Sequence, residues 1–164
     1  MLKITIIGHG FVGKAVDYAF QDGVEKQIID PKIGVHLKDV SLNANLTFVC
    51  LPTPMGKDGK CDTSILKSVL DEIKHRMSGI IVIKSTVPPD EVKALVSGSS
   101  SKRIVYNPEF LTERNANEDI VNPFIQILGG DKTTTETLER YYKEYSICKP
   151  CPTYHMSATD ASFV

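Results

Sequence analysis

The sequence predicts an α/β protein, a doubly wound and mostly parallel sheet of about six strands with helices on both faces. Three observations point that way. Short apolar runs alternate with amphipathic stretches along almost all of the 164 residues. The first run, "LKITIIG", passes directly into "FVGKAVDYAF", whose apolar positions repeat at helical spacing. Several later runs break off sharply into proline, hydroxyl or acid, as strands do when they end at loops on a common edge. A chain of this length buries about 70% of the surface its unfolded form exposes, enough for one domain without disulfides.

The elements follow in order. After the first strand, Phe11, Val12, Ala15, Val16, Ala19 and Phe20 form one helical stripe that packs back on it. "QIID" is the second strand and "LTFVCL" the third; residues 31–46 between them carry no helical pattern, so that crossover is short or irregular. "DTSILKSVLDEIKHRM" sets Ile65, Leu66, Val69, Leu70, Ile73 and Met77 at helical spacing, with Asp62 or Thr63 available as N-cap. "GIIVIK", "RIVYN" and "FIQIL" are the fourth, fifth and sixth strands. Pro88 and Pro89 suit the first turn of a helix over "DEVKALV", and "SGSSSK" at 97–102 reads as a surface loop. In "DKTTTETLERYYKEY" the stripe of Leu138, Tyr141, Tyr142 and Tyr145 is core packing rather than a site.

The totals exclude several classes of function. Nineteen basic and twenty acidic residues, with no long run of either sign, make no field that would recruit nucleic acid or an anionic membrane. The apolar run at Leu2 leaves no room for a charged leader, and no apolar stretch approaches membrane length, so a soluble cytoplasmic protein is the expectation. Of Cys50, Cys61, Cys148 and Cys151, only the last two have a spacing with chemical meaning. They follow a helix instead of opening one, and with His155 they supply at most three zinc ligands, so neither redox nor metal work is assigned to them.

The strand ends carry the chemistry. "GHGFVG" closes the first strand and opens the first helix: Gly8 permits the turn, Gly10 lets backbone approach a pyrophosphate, and Gly13 lets helix and strand pack closely. The amides of Phe11 and Val12 at the helix start complete a phosphate cradle. Asp30 ends the second strand twenty positions beyond Gly10, where a carboxylate accepts the adenosine ribose hydroxyls and repels a 2′-phosphate. The pattern is Rossmann-like and predicts NAD rather than NADP, although Lys32 lies close. His9 is expected to be an exposed loop residue. The third, fourth and fifth strands end in "LPTP", "KSTVPP" and "YNPEF", which bring Thr53, Ser85, Thr86 and Glu109 to the same edge, where the nicotinamide and substrate half of such a site is built.

Taken together and in order, "GHGFVG", Asp30, "LPTP", "KSTVPP" and "YNPEFLTE" resemble the nucleotide-sugar dehydrogenases, most closely the UDP-glucose 6-dehydrogenase group. "KSTVPP" followed by "NPEFL" is the specific part, and GDP-mannose dehydrogenases are similar there. The resemblance implies a twofold oxidation of a sugar's primary alcohol to a carboxylate with two NAD, through a thioester on a cysteine. It implies that Glu109 is the acid/base or steers the hydrolytic water, that Thr86 helps hold that water, that Glu113 lies near the cofactor and substrate loop, and that Thr53 and Ser85 line the dinucleotide. The whole of 1–164 would be the NAD-binding domain. The relatives' central helix and their second domain, with its nucleophilic cysteine, would lie outside the chain. Cys50 reads as a small core residue and Cys61 sits in a turn, so neither replaces that nucleophile. The chain alone is therefore expected to bind NAD without turnover, as a possible monomer, while the complete enzyme would be a homodimer. Two alternatives stay open: the cofactor domain of another NAD-dependent alcohol, hydroxyacid or GDP-mannose dehydrogenase, and a stand-alone or truncated NAD-binding module without catalysis.

Overall fold

The computed structural model describes residues 1–164, all of the chain. Its centre is a seven-stranded sheet in the order β2-β1-β3-β4-β5-β6-β7. The strands are β1 (Leu2–Ile7), β2 (Val24–Ile29), β3 (Leu46–Val49), β4 (Ile80–Ile83), β5 (Ile104–Tyr106), β6 (Gln126–Gly129) and β7 (Thr153–Met156). All neighbouring pairs are parallel except β5 with β6, which meet antiparallel at Tyr106 and Gly129.

The helices are α1 (Phe11–Ala19), α2 (Ser64–Arg76), α3 (Pro89–Leu95), α4 (Ala116–Val121), α5 (Lys132–Tyr145) and α6 (Ala158–Ala161). Side chains alternate across each strand, and so divide the core in two. Ile4, Ile6, Leu46, Phe48, Val82 and Val105 pack against α1, α4 and α5. Ile7, Val49, Ile81, Ile83, Ile104 and Tyr106 pack against α2, α3 and α6. The apolar runs of the central strands are continuous because both of their faces are covered.

The helical stripes hold with exceptions at their ends. Ala15, Val16, Ala19 and Phe20 of the first stripe are buried while Phe11 is exposed; in the second, Leu66, Leu70, Ile73 and Met77 are buried while Ile65 faces solvent. Thr63 is the N-cap of α2, but its hydroxyl donates to Glu91, and the Asp62 carboxylate takes the amide of Ser64. Residues 31–46 form two short 3-10 turns, Pro31–Ile33 and Leu37–Asp39, as the missing helical pattern suggested. No helix is long and apolar enough to cross a membrane.

Two features depart from a simple alternating sheet. The seventh strand was not foreseen, because "TYHM" is half exposed and carries no apolar run. The reversal of β6 matters more for the site. The entries of β6 and β7, not their exits, lie on the edge where β1 to β5 end.

Candidate functional site

The sheet order turns back at β1, which has β2 on one side and β3 on the other. Such a switch point opens a crevice beyond the carboxyl ends of the strands, and the glycine turn lies in it. Each glycine has a distinct job. Gly8 has φ +90°, and a Cβ there would lie 2.4 Å from the Cys50 carbonyl oxygen. A Cβ on Gly13 would lie 1.9 Å from the carbonyl oxygen of Gly8, so α1 reaches β1 only because that atom is missing. Around Gly10 there is nothing within 4 Å. No contact inside the protein demands glycine at that position, and the open space is where a pyrophosphate would approach the backbone. Gly10 caps α1 without a side-chain hydrogen bond, and the first turn holds no acid, so no side chain of the helix start competes with an anion for the amides of Phe11, Val12 and Gly13. The residues present thus fit a dinucleotide.

Asp30 borders that turn. Its Oδ2 accepts the His9 amide at 2.7 Å and its Oδ1 the Lys32 amide at 2.8 Å. These two bonds hold the carboxyl below the usual range, so it stays ionised and rigid at neutral pH while lone pairs on both oxygens remain for ribose hydroxyls. Lys32 takes part through its amide, and its side chain is exposed. His9 is not the exposed loop residue expected: it is half-buried, with Nε2 3.3 Å from Asp17 Oδ2. Asp17 also pairs with Lys26 at 2.6 Å. Burial pushes the Asp17 carboxyl up, but Lys26 and His9 outweigh it and leave it below its ordinary value.

The next two strand ends are tied to each other. Thr53 Oγ1 donates to the Thr86 carbonyl at 2.7 Å, and buried Ser85 accepts the Leu51 amide at 3.0 Å and donates to the Val49 carbonyl at 3.4 Å. Cys61 joins them: an isolated bridge between Met55 and Cys61 folds the "GKDGKC" turn back, and its thiol lies 3.4 Å from the Thr53 carbonyl and 3.9 Å from that of Thr86. Thr86, whose carbonyl takes part in these contacts, is exposed just beyond the end of β4.

Beyond β5 the chain turns at Asn107-Pro108-Glu109. Asn107 is buried and engaged through both side-chain heteroatoms: its Nδ2 donates to the Ile127 carbonyl at 2.8 Å, and its Oδ1 accepts from Tyr142 at 2.8 Å and from Lys84 at 3.2 Å. Glu109 Oε2 accepts the Leu111 amide at 2.6 Å, which fixes the carboxylate over the turn. This carboxylate lines a cavity of about 690 Å³, walled also by Lys84, Tyr142, the Phe110–Phe124 pair and the Cys148–Cys151 segment. The cavity exists because β6 and β7 begin on this edge, which carries Phe124 and residues 148–152 to the exit of β5. Glu113 is not part of it. It opens the 3-10 turn Glu113–Asn115 before α4, exposed, on the side that packs against α1.

Sequence reasoning missed Lys84, Asn107, Tyr142 and Cys148 as wall residues. Tyr142 was set aside as core packing and does pack on Phe20 and Phe48, but its hydroxyl reaches Asn107. Lys84 had a signal, a cation closing a fully apolar strand. His155 is drawn away from the two cysteines by Thr135 at 2.9 Å and Glu139 at 2.7 Å, and no three metal-ligating side chains gather anywhere in the chain. Burial pushes the thiols of Cys148 and Cys50 up, the latter to about 12.

Comparison with known proteins places the chain in a family. Residues 32–146 match the family model described as the UDP-glucose/GDP-mannose dehydrogenase family, NAD binding domain. The chain is 38% identical over 168 aligned residues to a Bacillus subtilis (strain 168) protein provisionally named UDP-glucose 6-dehydrogenase YtcA, covering 78% of this chain and 39% of that one. It is 31% identical to a Pseudomonas aeruginosa GDP-mannose 6-dehydrogenase, over 65% of this chain and 28% of that one. The fold is that of a solved UDP-glucose dehydrogenase from Pyrobaculum islandicum, with TM-score 0.78, 22% identity and coverage of 99% of this chain and 48% of that one. The chain spans less than half the length of each of these three proteins. With most of its length matched and its switch-point crevice fitted to a dinucleotide, the chain belongs to the UDP-glucose/GDP-mannose dehydrogenase family and is its NAD-binding domain.

Proposed function

We propose that the chain, as one domain over 1–164, is the cofactor half of an enzyme that oxidises the primary alcohol of UDP-glucose to the carboxylate of UDP-glucuronate in two NAD-dependent steps. The single observation that carries this is the shared edge: the glycine turn, Asp30, the Thr53–Thr86 tie and Glu109 all stand beyond the carboxyl ends of adjacent strands. From β1 to β5 is three strand spacings, about 14 Å, so the phosphate cradle and the reacting groups sit at opposite ends of one crevice.

Held by these residues, NAD would supply the hydride acceptor for the oxidation of the sugar carbon. The chain's own groups do the rest of the work on this side. The α1 amides and Gly10 hold the phosphates, Asp30 holds the ribose, and Ser85 and Thr53 fix the loops that line the dinucleotide. Glu109 moves the proton of the alcohol and later of the hydrolytic water, which Thr86 helps to hold, and a half-buried carboxylate anchored by one amide is suited to that task. Glu113 stands on the cofactor side of the substrate loop. The nucleophilic cysteine of the thioester step comes from outside these residues, since Cys50 is buried and its thiol is held protonated. The complete enzyme is a homodimer in this reading.

GDP-mannose is the second reading, favoured by the 31%-identical Pseudomonas aeruginosa enzyme. Calorimetric titration of the 164-residue chain with NAD, NADP and UDP-glucose tests the cofactor half. NAD binds, NADP binds far more weakly, and no turnover accompanies UDP-glucose. Equal affinity for NADP would remove the role given to Asp30, and oxidation of UDP-glucose by the chain alone would overturn the division of labour.

A further inference from the structure

Lys84 is the least expected charge in the molecule. It closes β4 with only 6% of its surface exposed, and none of the ion pairs in the structure includes it. An ammonium group has three protons to donate, and one goes to Asn107 Oδ1 at 3.2 Å, an oxygen already shared with Tyr142. A buried cation without a paired anion is costly, and proteins resolve that cost by neutralising the group or by supplying a counter-ion. Burial holds the ammonium below its ordinary range, against the pull of Cys50, Glu109 and Cys148.

The second course is open because Lys84 is on the wall of the cavity behind Glu109. At about 690 Å³ this is the size of a small-molecule site. The rest of the wall restricts the occupant. Lys143 is spoken for by Glu139 at 2.5 Å, and Asp119 is held by the amide and hydroxyl of Thr112. Lys84, Lys143 and Lys149 are matched by Glu109, Asp119 and Glu139, so no surplus of positive charge would draw a dianion. Asn122 Nδ2 is taken by Glu118 and the Thr153 hydroxyl by Gln126 and Cys151, which leaves Asn122 Oδ1 and Gln126 Nε2 to hydrogen-bond hydroxyl groups, and Phe110 and Phe124, tilted by 50° with centroids 5.4 Å apart, offer an apolar wall to a ring.

We propose that this cavity is a binding site for a small monocarboxylate, whose carboxylate supplies the counter-ion that Lys84 lacks and whose hydroxylated ring lies against Phe110 and Phe124. Under the function proposed above the ligand is the uronate end of the oxidised sugar, and that identification rests on that reading.

The test is a titration of the chain carrying ¹⁵N-labelled lysine, following the side-chain nitrogen of Lys84 by NMR with glucuronate, acetate, glucose and inorganic phosphate as probes. The Lys84 signal shifts and saturates with glucuronate and with acetate, stays still with glucose, and glucuronate binds more tightly than phosphate. Lys84→Met weakens glucuronate by more than about tenfold, the loss expected for a hydrogen bond to a charged group. A signal that ignores both carboxylates overturns the site, as does unchanged affinity in Lys84→Met; should that variant not fold, the wild-type titration decides alone. Tighter binding of phosphate overturns the monocarboxylate class, and acetate binding without glucuronate overturns the uronate. NAD added to the same sample separates the two readings. NAD binding without glucuronate removes the carboxylate site and leaves the dehydrogenase half intact, whereas the reverse removes the cofactor assignment.

Discussion

Gly10 and Gly13 sit three residues apart in one turn, and the structure separates their roles so sharply that alanine at each should fail in a different assay. At Gly13 the added Cβ would stand 1.9 Å from the Gly8 carbonyl oxygen and 3.0 Å from its carbon. Ordinary contact begins near 3.4 Å and the obstacle is backbone, so the start of α1 must retreat from β1 by about 1 Å or more. Alanine gains about 1 kcal/mol of helix propensity over glycine, but overpacking against an atom that cannot rotate away costs about 3 kcal/mol or more. In a chain of this size, a net loss of about 2–3 kcal/mol lowers Tm by roughly 4–12 °C. At Gly10 nothing lies within 4 Å, so the fold loses only the N-cap preference for glycine over alanine, about 1 kcal/mol or less. The methyl group would instead occupy the approach of the pyrophosphate and weaken NAD by more than about tenfold, the equivalent of one charge-assisted hydrogen bond. Thermal unfolding by calorimetry and NAD titration on both variants decide it. Gly13→Ala melting with the wild type would refute the packing argument, and Gly10→Ala binding NAD normally would refute the phosphate argument.

Further outcomes follow from the same edge. The Asp30 carboxyl is held below its unfolded value of 3.8 by the His9 and Lys32 amides, so its contribution to stability is complete above that pH and disappears as pH falls through the lower folded value; urea midpoints of wild type and Asp30→Asn should differ at pH 7 and converge in strong acid, and a constant gap would rule the linkage out. Tyr142→Phe removes a 2.8 Å bond to Asn107 and should cost about 1 kcal/mol, or roughly 2–4 °C in Tm, with no change at all counting against the network. The Cys50 thiol, buried and pushed up to about 12, should resist iodoacetamide at pH 8 in the folded chain, and its rapid labelling in native conditions would contradict that burial. Joined to the remainder of the enzyme, Glu109→Gln should keep NAD affinity and slow hydrolysis of the acyl intermediate, and normal turnover would exclude Glu109 as the acid/base.

The sequence by itself determined the frame of this protein. Period-two and period-3.6 patterns are set by backbone geometry, so "LKITIIG", "FVGKAVDYAF" and "DTSILKSVLDEIKHRM" could be read directly as strand and helices. The spacing of Gly8, Gly10, Gly13 and Asp30 was legible for the same reason, since a tight turn, a close backbone approach and a strand-end acid are all local demands. Whatever depended on direction or on distant partners was not legible. Nothing in "FIQIL" says that β6 runs against β5, because an apolar strand of four or five residues packs equally well either way. Yet that reversal carries Phe124 and residues 148–152 to the Asn107 turn and so creates the cavity beside Glu109. The same holds for Tyr142, whose helical stripe predicts burial but not the hydrogen bond at its tip, and for Cys61, which a turn returns to Thr53 and Thr86. Lys84 shows the limit most clearly. A lysine at the end of "GIIVIK" reads as a charge emerging into water, and only the tertiary fold leaves it buried, with Asn107 its single hydrogen-bond partner.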